Sequence, residues 1–457
     1  MRLWHRDGQT VHLAYGTNVR HARDLRGILA QLDSDAVRVR EALNLDLLDL
    51  GLWLAAPVAS ALASSYSLRV RLRSELAARG LEVVTVNGFP YRDPSPTASS
   101  TRGSGAVAPP SPGGRGTHAE EPAVAGFSRT LTAAKQAIYR PDWTERDRLQ
   151  YTLDLARVLC DLMPDDAERG SVSTLPIAWR EPWDADRADR ADRMLEDLAD
   201  GLAEITWHTG RLVRVGFEPE PGCLIETTAQ AVEHLSDIDP NFLGICLDLA
   251  HLACVWESPA AAVHLLRAHR LQVVKVQLSA ALVADDPHAA RAALDGYAEP
   301  RFPHPTRTPS GAGVDDLPEA LEGDLIGPWR VHVHLPLHSE PPAPLKTTLP
   351  VVRAALVELF AGPEALTDHI EVETSTWAYR SPTGDLVREA AAEVDFAHGA
   401  LHDLGMRGPS DPIELTALHW EAAGCAPGIG IPVPPSGHGR PAAPDGQPPA
   451  DAEVTCA

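Results

Sequence analysis

The feature that most limits the fold of this chain is an alternation of short apolar runs with longer segments of helical period. Nine runs have the length and the β-branched composition of strands, and between them apolar residues recur three or four positions apart. Strands separated by helices pair in parallel, because each crossover returns the chain to the same end of the sheet. The predicted strands are Val11–Thr17, Leu48–Ala55, Leu81–Phe89, Ser171–Ile177, Leu212–Glu218, Phe242–Asp248, Val273–Ser279, Arg330–Leu335 and His369–Thr374.

Several of the intervening helices carry their own start signals. Thr227 with Gln230 forms a capping box, in which each side chain bonds the backbone of the other. Ser258 before Pro259 places a cap residue before a proline at the first helical position. Pro350 opens a further helix that is expected to run to Phe360. These signals support an α/β protein.

Closure of such units gives a (β/α)₈ TIM barrel, which is the predicted fold. Nine strand candidates compete for eight places, so one strand is expected outside the barrel. The sequence leaves two candidates open, Arg330–Leu335 and Ser171–Ile177. An open doubly wound sheet is disfavoured, because no Gly-x-Gly-x-x-Gly string follows the first strand.

Two segments have the composition of disordered chain. Residues 93–126, after the third strand, and residues 408–457, at the C-terminus, are rich in Pro, Gly, Ser and Ala and lack an apolar period. Such segments bury too little apolar surface to offset the entropy lost on ordering. We therefore predict one barrel domain over residues 1–407, with a disordered insertion and a mostly disordered tail.

Charge and cysteine content limit the classes of partner. The 457-residue chain has a net charge of −23, which repels the phosphates of nucleic acids and of anionic membranes. Its six cysteines form no Cys-x-x-Cys pair, and the N-terminus lacks the apolar core of a signal peptide. No uncharged apolar run approaches the ~20 residues of a membrane span. We expect a cytoplasmic protein with reduced thiols that binds a small molecule, with no nucleic-acid partner and no membrane insertion.

Three carboxylates stand at the far ends of predicted strands: Glu218, Asp248 and Glu373. In a barrel these ends meet at one mouth. Carboxylates brought together repel one another unless a cation or a shared proton neutralises them. The pattern therefore predicts a metal site, with Glu218 and Glu373 also placed to transfer protons. The alternatives are that the glutamates are exposed loop acids and that Asp248 merely caps the next helix.

Other polar residues point toward the same mouth. Gln277 offers a neutral carbonyl oxygen as a fourth metal ligand, and His251, three residues after Asp248, is a candidate catalytic group or a satisfied polar residue. Lys275 either holds Glu218 or Glu373 in place or forms a structural ion pair.

Five residues are the candidate substrate contacts, since they fall at or near strand ends: Asn87, Glu220, Lys275, His334 and Trp179. His334 shares a strand face with His332, a spacing that resembles a metal or proton-transfer cluster, although core hydrogen bonding also explains it. For the asparagine, turn formation explains the position equally well.

A ligand set dominated by oxygen favours Mn²⁺ or Mg²⁺, with Zn²⁺ as the alternative. Such a divalent cation binds adjacent carbonyl and hydroxyl oxygens, while Glu218 and Glu373 move protons on and off carbon. The predicted reaction is the isomerisation or epimerisation of a sugar or polyol.

At these positions the chain resembles the xylose-isomerase-like TIM-barrel superfamily. Glu218-Pro-Glu220-Pro is similar to the Glu-Pro-Lys-Pro string of sugar isomerases, and Asp248-x-x-His251 resembles the Asp-x-x-His of the epimerase and endonuclease IV branches. Glu373-Thr matches the final-strand glutamate of those branches. The superfamily commonly has a histidine ligand where this chain has Gln277.

A second resemblance, to the EboE group of metabolite-traffic proteins, covers most of the chain. It implies the same fold, a role in bacterial metabolite biosynthesis or traffic, and other proteins of the same operon as partners. The strings that carry it are His12-Leu-Ala-Tyr-Gly-Thr-Asn18, Gly51-Leu-Trp-Leu-Ala-Ala-Pro57, Asn87-Gly-Phe-Pro-Tyr91, Tyr139-Arg-Pro-Asp-Trp143, Ser173-Thr-Leu-Pro176 and Phe217-Glu-Pro-Glu-Pro-Gly222.

Two other functions stay open. A non-catalytic carrier would hold a metabolite in the same mouth without turnover, and Gln277 in place of a histidine favours it. A metal phosphodiesterase of the endonuclease IV type is disfavoured, because it would need more histidines and a basic groove.

Overall fold

The computed structural model describes residues 1–18, 22–89, 135–299, 302–373 and 385–408. These residues lie in one compact unit. The predicted insertion, residues 93–126, lies outside the described residues, as does the predicted tail after Gly408.

The predicted (β/α)₈ barrel is confirmed. Each of eight parallel strands pairs with the next in chain order, and the last pairs with the first, so the sheet closes on itself. The described strands are β1 (Arg2–Trp4), β2 (Thr10–Gly16), β3 (Leu48–Trp53), β4 (Leu81–Asn87), β5 (Arg169–Thr174), β6 (Leu212–Phe217), β7 (Leu243–Asp248), β8 (Val273–Leu278), β9 (Ala280–Ala284), β10 (Thr306–Arg307), β11 (Gly313–Val314), β12 (Trp329–Leu335), β13 (Lys346–Thr347) and β14 (His369–Val372). The barrel strands are β2 to β8 and β14.

Helices lie between the barrel strands, as the alternation predicts. The Thr227–Gln230 capping box is present, and Pro350 lies in the first turn of a helix that ends at Phe360. The described helices are α1 (Leu25–Gln31), which continues through a π turn (Leu32–Ala36) into α2 (Val37–Ala42), then α3 (Ala56–Ala63), α4 (Tyr66–Ala77), α5 (Arg146–Leu162), α6 (Ala185–Thr209), α7 (Thr228–Leu235), α8 (Leu249–Cys254), α9 (Pro259–Ala268), α10 (Arg291–Asp295), α11 (Leu317–Glu322), α12 (Leu349–Phe360) and α13 (Leu386–Asp403).

Of the nine predicted strands, the one outside the barrel is Arg330–Leu335, and Ser171–Ile177 supplies β5. The run at 330–335 belongs to β12, which pairs antiparallel with β9 and β10 in a second, five-stranded sheet. This sheet starts at the carboxyl end of β8, since β9 begins after the single residue Ser279. The second sheet therefore connects to the barrel at its mouth.

A buried ion pair fills the barrel interior. Lys275 Nζ lies 2.6 Å from Glu371 Oε2, and neither side chain is exposed to solvent. The Asn87 side chain bridges them, donating to Glu371 over 2.6 Å and accepting from Lys275 over 2.7 Å. Gly51 leaves room for this carboxylate, because a Cβ at that position would overlap the Glu371 oxygens.

The barrel interior holds further polar contacts, among them His12 with Asp49 and Ser171 with Thr85. The helices pack their apolar faces around the barrel. Helix α6 shows the pattern, with Leu195, Leu198 and Leu202 buried on one face. Among the described helices, none is both long enough and apolar enough to cross a lipid bilayer. The four described cysteines are buried free thiols: Cys160, Cys223, Cys246 and Cys254.

Candidate active site at the barrel mouth

A pocket opens at the carboxyl ends of the barrel strands. Its floor is polar and carries the residues that follow β2, β6 and β14, and its walls are largely aromatic. The residues that line it are Asn18, Asn87, Phe89, Ile138, Tyr139, Glu218, Glu220, His251, Gln277, Phe302, Pro303, His304, His332, His334 and Glu373. This is the position at which TIM barrels carry their active sites.

Glu218 follows β6 directly, and its amide donates to the carbonyl of Thr174 at the end of β5. The side chain is buried, and its Oε2 atom has no hydrogen-bond partner. Burial and the neighbouring carboxylates, Asp248 first among them, raise the pKa of Glu218 well above its ordinary value. A buried acid with a free oxygen either keeps a proton or binds a cation.

Asp248 ends β7 and has two roles. Its Oδ1 atom accepts from the amides of Ala250 (2.8 Å) and His251 (2.9 Å), so it caps α8. The capping alternative is therefore correct for one oxygen. The other oxygen, Oδ2, is buried without a partner. It is the oxygen that remains for a cation.

Glu218, Asp248 and His251 form one cluster, in which a ligand atom from each lies within 4.8 Å of the others. The closest approaches are 3.7 Å from His251 Nδ1 to Glu218 Oε1 and 4.0 Å from His251 Nε2 to Asp248 Oδ1. The predicted convergence of Glu218 and Asp248 from adjacent strands is thus a feature of the structure. The two orphaned carboxylate oxygens fit a hard divalent cation.

Glu373 follows β14, and both of its oxygens accept amide hydrogens. Asn18 Nδ2 donates to Oε1 over 2.6 Å, and Gln277 Nε2 donates to Oε2 over 2.8 Å. The carbonyl oxygen of Gln277 accepts from the Cys246 thiol over 3.1 Å. Gln277 therefore orients Glu373 in this structure.

His251 joins two histidines of the second sheet. His251 Nε2 lies 2.9 Å from His332 Nε2, which lies 2.9 Å from His334 Nε2. All three rings are buried and line the pocket. Burial lowers the pKa of His251 to about 4, against the opposing effect of Asp248, and burial with the adjacent imidazoles lowers the pKa of His332 well below its ordinary value. His251 and His332 are therefore neutral at pH 7.

Glu220 lies beside this floor and accepts a hydrogen bond of 2.7 Å from the Tyr139 hydroxyl. Burial raises the pKa of Glu220 to about 8, so its carboxyl group holds a proton at neutral pH. Tyr139 packs on Trp179, with ring centroids 5.0 Å apart. Trp179 thus supports the wall from behind, whereas Tyr139 lines the pocket.

Two of the predicted substrate contacts differ from the rest in position. Asn87, Glu220 and His334 line the pocket, whereas Trp179 lies behind it and Lys275 lies in the barrel interior. Lys275 forms a structural ion pair, which is the second alternative that the sequence leaves open; its partner is Glu371, deeper in the barrel, and not Glu218 or Glu373.

The wall of the pocket contains residues that the sequence pattern does not single out. Tyr139 stands in a string that carries a family resemblance, so its position in the chain offers a signal. Phe302 and Pro303 lie in a loop between α10 and β10 and offer none.

A family model agrees with the fold. The family model described as "Xylose isomerase-like TIM barrel" matches residues 168–321, roughly a third of the chain. No curated protein matches the chain. The matched residues span β5 to α11 and include Glu218, Asp248 and His251.

Solved structures similar to the chain include a D-tagatose 3-epimerase-like protein, at 15% identity over 86% of this chain and 98% of that one, with a TM-score of 0.43. D-psicose 3-epimerase with D-tagatose from Clostridium cellulolyticum H10 has 12% identity over 85% and 99%, with a TM-score of 0.41. A xylose isomerase-like TIM-barrel protein from Mycobacterium smegmatis in complex with magnesium has 14% identity over 87% and 99%, with a TM-score of 0.42. The closed parallel barrel and the matched family model together identify the fold as a xylose isomerase-like TIM barrel.

Proposed function

We propose that this protein is a divalent-metal-dependent isomerase or epimerase that acts on a small sugar or polyol. The observation that carries the proposal is that Glu218 and Glu373 line one pocket and Asp248 lies beside Glu218, with one buried oxygen of Glu218 and one of Asp248 lacking a partner. These groups lie at the barrel mouth, where TIM-barrel enzymes bind their substrates.

Glu218, Asp248 and Glu373 would hold the cation, and Gln277 would support it through Glu373. The donors are predominantly oxygen, which favours Mn²⁺ or Mg²⁺, with Zn²⁺ as the alternative. Such an ion supplies electrophilic polarisation of neighbouring carbonyl and hydroxyl oxygens of the substrate. One buried oxygen of Glu218 and one of Asp248 have no partner, and a bound cation would supply one; this supports the assignment.

Two glutamates in different surroundings suit proton transfer at carbon. Glu218 would bind the cation through its orphaned oxygen and transfer a proton through the other, Oε1. Glu373 accepts amide hydrogens from Asn18 and Gln277, which hold it as an acceptor. When the surroundings of two carboxyl groups differ in this way, one can act as the acid while the other acts as the base. His251, beside Glu218, would orient or relay the proton.

The pocket walls suit a polyhydroxylated ligand. Asn87, the protonated Glu220 and His334 offer donors and acceptors for hydroxyl groups, and Tyr139 with Phe89 offers apolar faces. The cellular context that we infer is the EboE-type one, a cytoplasmic step in bacterial metabolite biosynthesis or traffic with partners from the same operon. This inference depends on the sequence strings that resemble the EboE group.

A carrier function is the second candidate, and one observation favours it. Both oxygens of Glu373 are already engaged by amide donors, which reduces its freedom to move as a base. In that case the same cation and pocket would bind a metabolite without turnover.

The test is solvent-deuterium exchange. Full-length protein loaded with Mn²⁺ is incubated in D₂O with a panel of ketoses and aldoses, and deuterium at carbon is followed by NMR. We expect incorporation with wild type and with the control Glu204→Gln, which lies exposed on α6, and its loss in Glu218→Gln and Glu373→Gln.

Each other outcome separates the alternatives. Ligand and metal binding without exchange across the panel would establish the carrier and refute the enzyme. Failure to bind Mn²⁺ would refute both. Hydrolysis of bis(4-nitrophenyl) phosphate, assayed in parallel because of the three histidines, would favour the phosphodiesterase.

A further inference from the structure

Hydrogen bonds alone do not account for the contacts among the imidazoles of His251, His332 and His334. Nε2 of His332 lies 2.9 Å from Nε2 of His251 and 2.9 Å from Nε2 of His334. One ring nitrogen carries at most one proton, so a neutral His332 can make only one of the two contacts a linear hydrogen bond. The Nδ1 atom of His332 is buried without a partner. The ring is therefore positioned through Nε2.

The two outer rings are turned so that their Nε2 atoms face His332. Nδ1 of His251 lies 3.1 Å from the Pro219 carbonyl, an acceptor, so this nitrogen carries the proton and Nε2 has the free lone pair. Nδ1 of His334 lies 2.8 Å from the Ser279 hydroxyl. An outer partner that holds the ring and directs the other nitrogen inward is the usual arrangement around a metal-bound histidine.

From this geometry we infer a second cation site, built from the Nε2 atoms of His251, His332 and His334 and selective for Zn²⁺ or a similar borderline metal. All three ligand atoms lie within 4.8 Å of one another. A tetrahedral zinc with Zn–N bonds of about 2.0–2.1 Å separates its nitrogens by roughly 3.3 Å, so the two 2.9 Å contacts of His332 need to open by only a few tenths of an ångström. Three imidazoles suit zinc better than magnesium.

The site is distinct from the carboxylate site proposed for Mn²⁺ or Mg²⁺. His251 is near both, but its protonated Nδ1 faces Pro219 and Glu218, and its Nε2 faces the histidines. The carboxylate of Asp248, 4.0 Å from Nε2 of His251, would offset part of the positive charge of a zinc ion bound there. The inference does not rest on the proposed isomerase reaction.

The second sheet gives the site its place in the fold. His332 and His334 lie on β12, and Ser279 joins β8 to β9, so the sheet supplies two ligands and the turn into it supplies an outer partner. All three histidines line the pocket, which leaves the fourth coordination position open toward a ligand. Three protein ligands with one open position is the composition of a catalytic rather than a structural zinc site.

The test is a Zn²⁺ titration of the metal-stripped full-length protein, followed by calorimetry, with X-ray absorption of the zinc-loaded form to count imidazole ligands. We expect three imidazoles in wild type. His332→Gln and His334→Gln should each weaken zinc binding by more than the ~10–100-fold that the loss of an outer partner causes, and Ser279→Ala should weaken it by about that factor.

Two variants serve as controls. His338→Gln changes a histidine just beyond β12 that bonds Glu393, and it should bind zinc as wild type does. Glu218→Gln should lose Mn²⁺ and keep the imidazole-bound Zn²⁺. This pair separates the present inference from the proposed function.

Zinc affinity within twofold of wild type in both His332→Gln and Ser279→Ala would overturn the inference. So would an absorption spectrum with oxygen ligands alone. If the histidine variants do not fold, Ser279→Ala and the ligand count decide the question. Loss of zinc in Glu218→Gln with retention in His332→Gln would place zinc in the carboxylate site, and the isomerase proposal would stand without this one.

Discussion

Replacing Lys275 with Met removes the cation that faces Glu371 in the barrel interior and keeps the volume of the side chain nearly constant. Both residues are fully buried, and the carboxylate then retains the Asn87 amide as a donor. Removing one partner of a buried pair costs about 3–5 kcal/mol, because the other charge is left uncompensated. With the Asn87 contact retained, we expect a loss of about 3 kcal/mol in the free energy of unfolding at pH 7.

The loss should depend on pH with a defined sign. Burial already raises the pKa of Glu371, against the effect of Lys275, and removal of the lysine raises it further. A carboxyl whose pKa is higher in the folded state binds more protons there, so stability falls as pH rises above the unfolded value of about 4.3. The variant should therefore lose stability relative to wild type from pH 5 to pH 8, by at most ~1.4 kcal/mol per pH unit.

Urea denaturation followed by circular dichroism at pH 5, 6.5 and 8 measures both effects. The double variant Lys275→Met with Glu371→Gln removes the stranded charge, and it should recover part of the stability and most of the pH independence. A single variant that loses less than about 1 kcal/mol, or whose deficit is the same at all three pH values, would contradict the assignment of this pair.

Two further changes test packing and titration elsewhere. Gly51→Ala would bring a Cβ into overlap with the Glu371 carboxylate, and overpacking of this kind costs about 1–3 kcal/mol; a lower melting temperature is expected, with Gly399→Ala, where nothing lies within 4 Å, as the harmless control. The hydrogen bond to Glu393 raises the pKa of His338, so the stability that this contact contributes is present below about pH 6.5, the ordinary histidine value, and is lost as pH rises through the folded pKa. Melting curves of His338→Gln should therefore differ from wild type more at pH 6 than at pH 9, and an equal difference at both would refute the contact.

The sequence is sufficient to predict the barrel and the acids at its mouth. Alternating strand and helix periods depend on local chain properties, and a carboxylate after an apolar run marks a strand end. Glu218 and Asp248 therefore lie where the pattern predicts them. Helix capping by Asp248 is also among the alternatives that the sequence allows, and the structure shows that one oxygen caps while the other remains free.

Partner choice depends on contacts between distant segments. Arg330–Leu335 and Ser171–Ile177 have similar patterns, and only their pairing separates them. Strand alternation places Glu371 and Glu373 on one face but does not set their depth, so the sequence alone does not decide which acid pairs with Lys275. His251 and His332 are 81 residues apart and meet only because the second sheet connects to the barrel at its mouth.

Anomalous scattering from crystals of the Mn²⁺-loaded full-length protein is the most direct measurement of the central claim, that remote acids hold a cation at the barrel mouth. We expect a manganese peak within bonding distance of the Glu218 and Asp248 carboxylates, and its disappearance in Asp248→Asn crystals of unchanged fold. Crystals that bind Mn²⁺ only at other surfaces, or an Asp248→Asn variant with the same peak, would contradict the account.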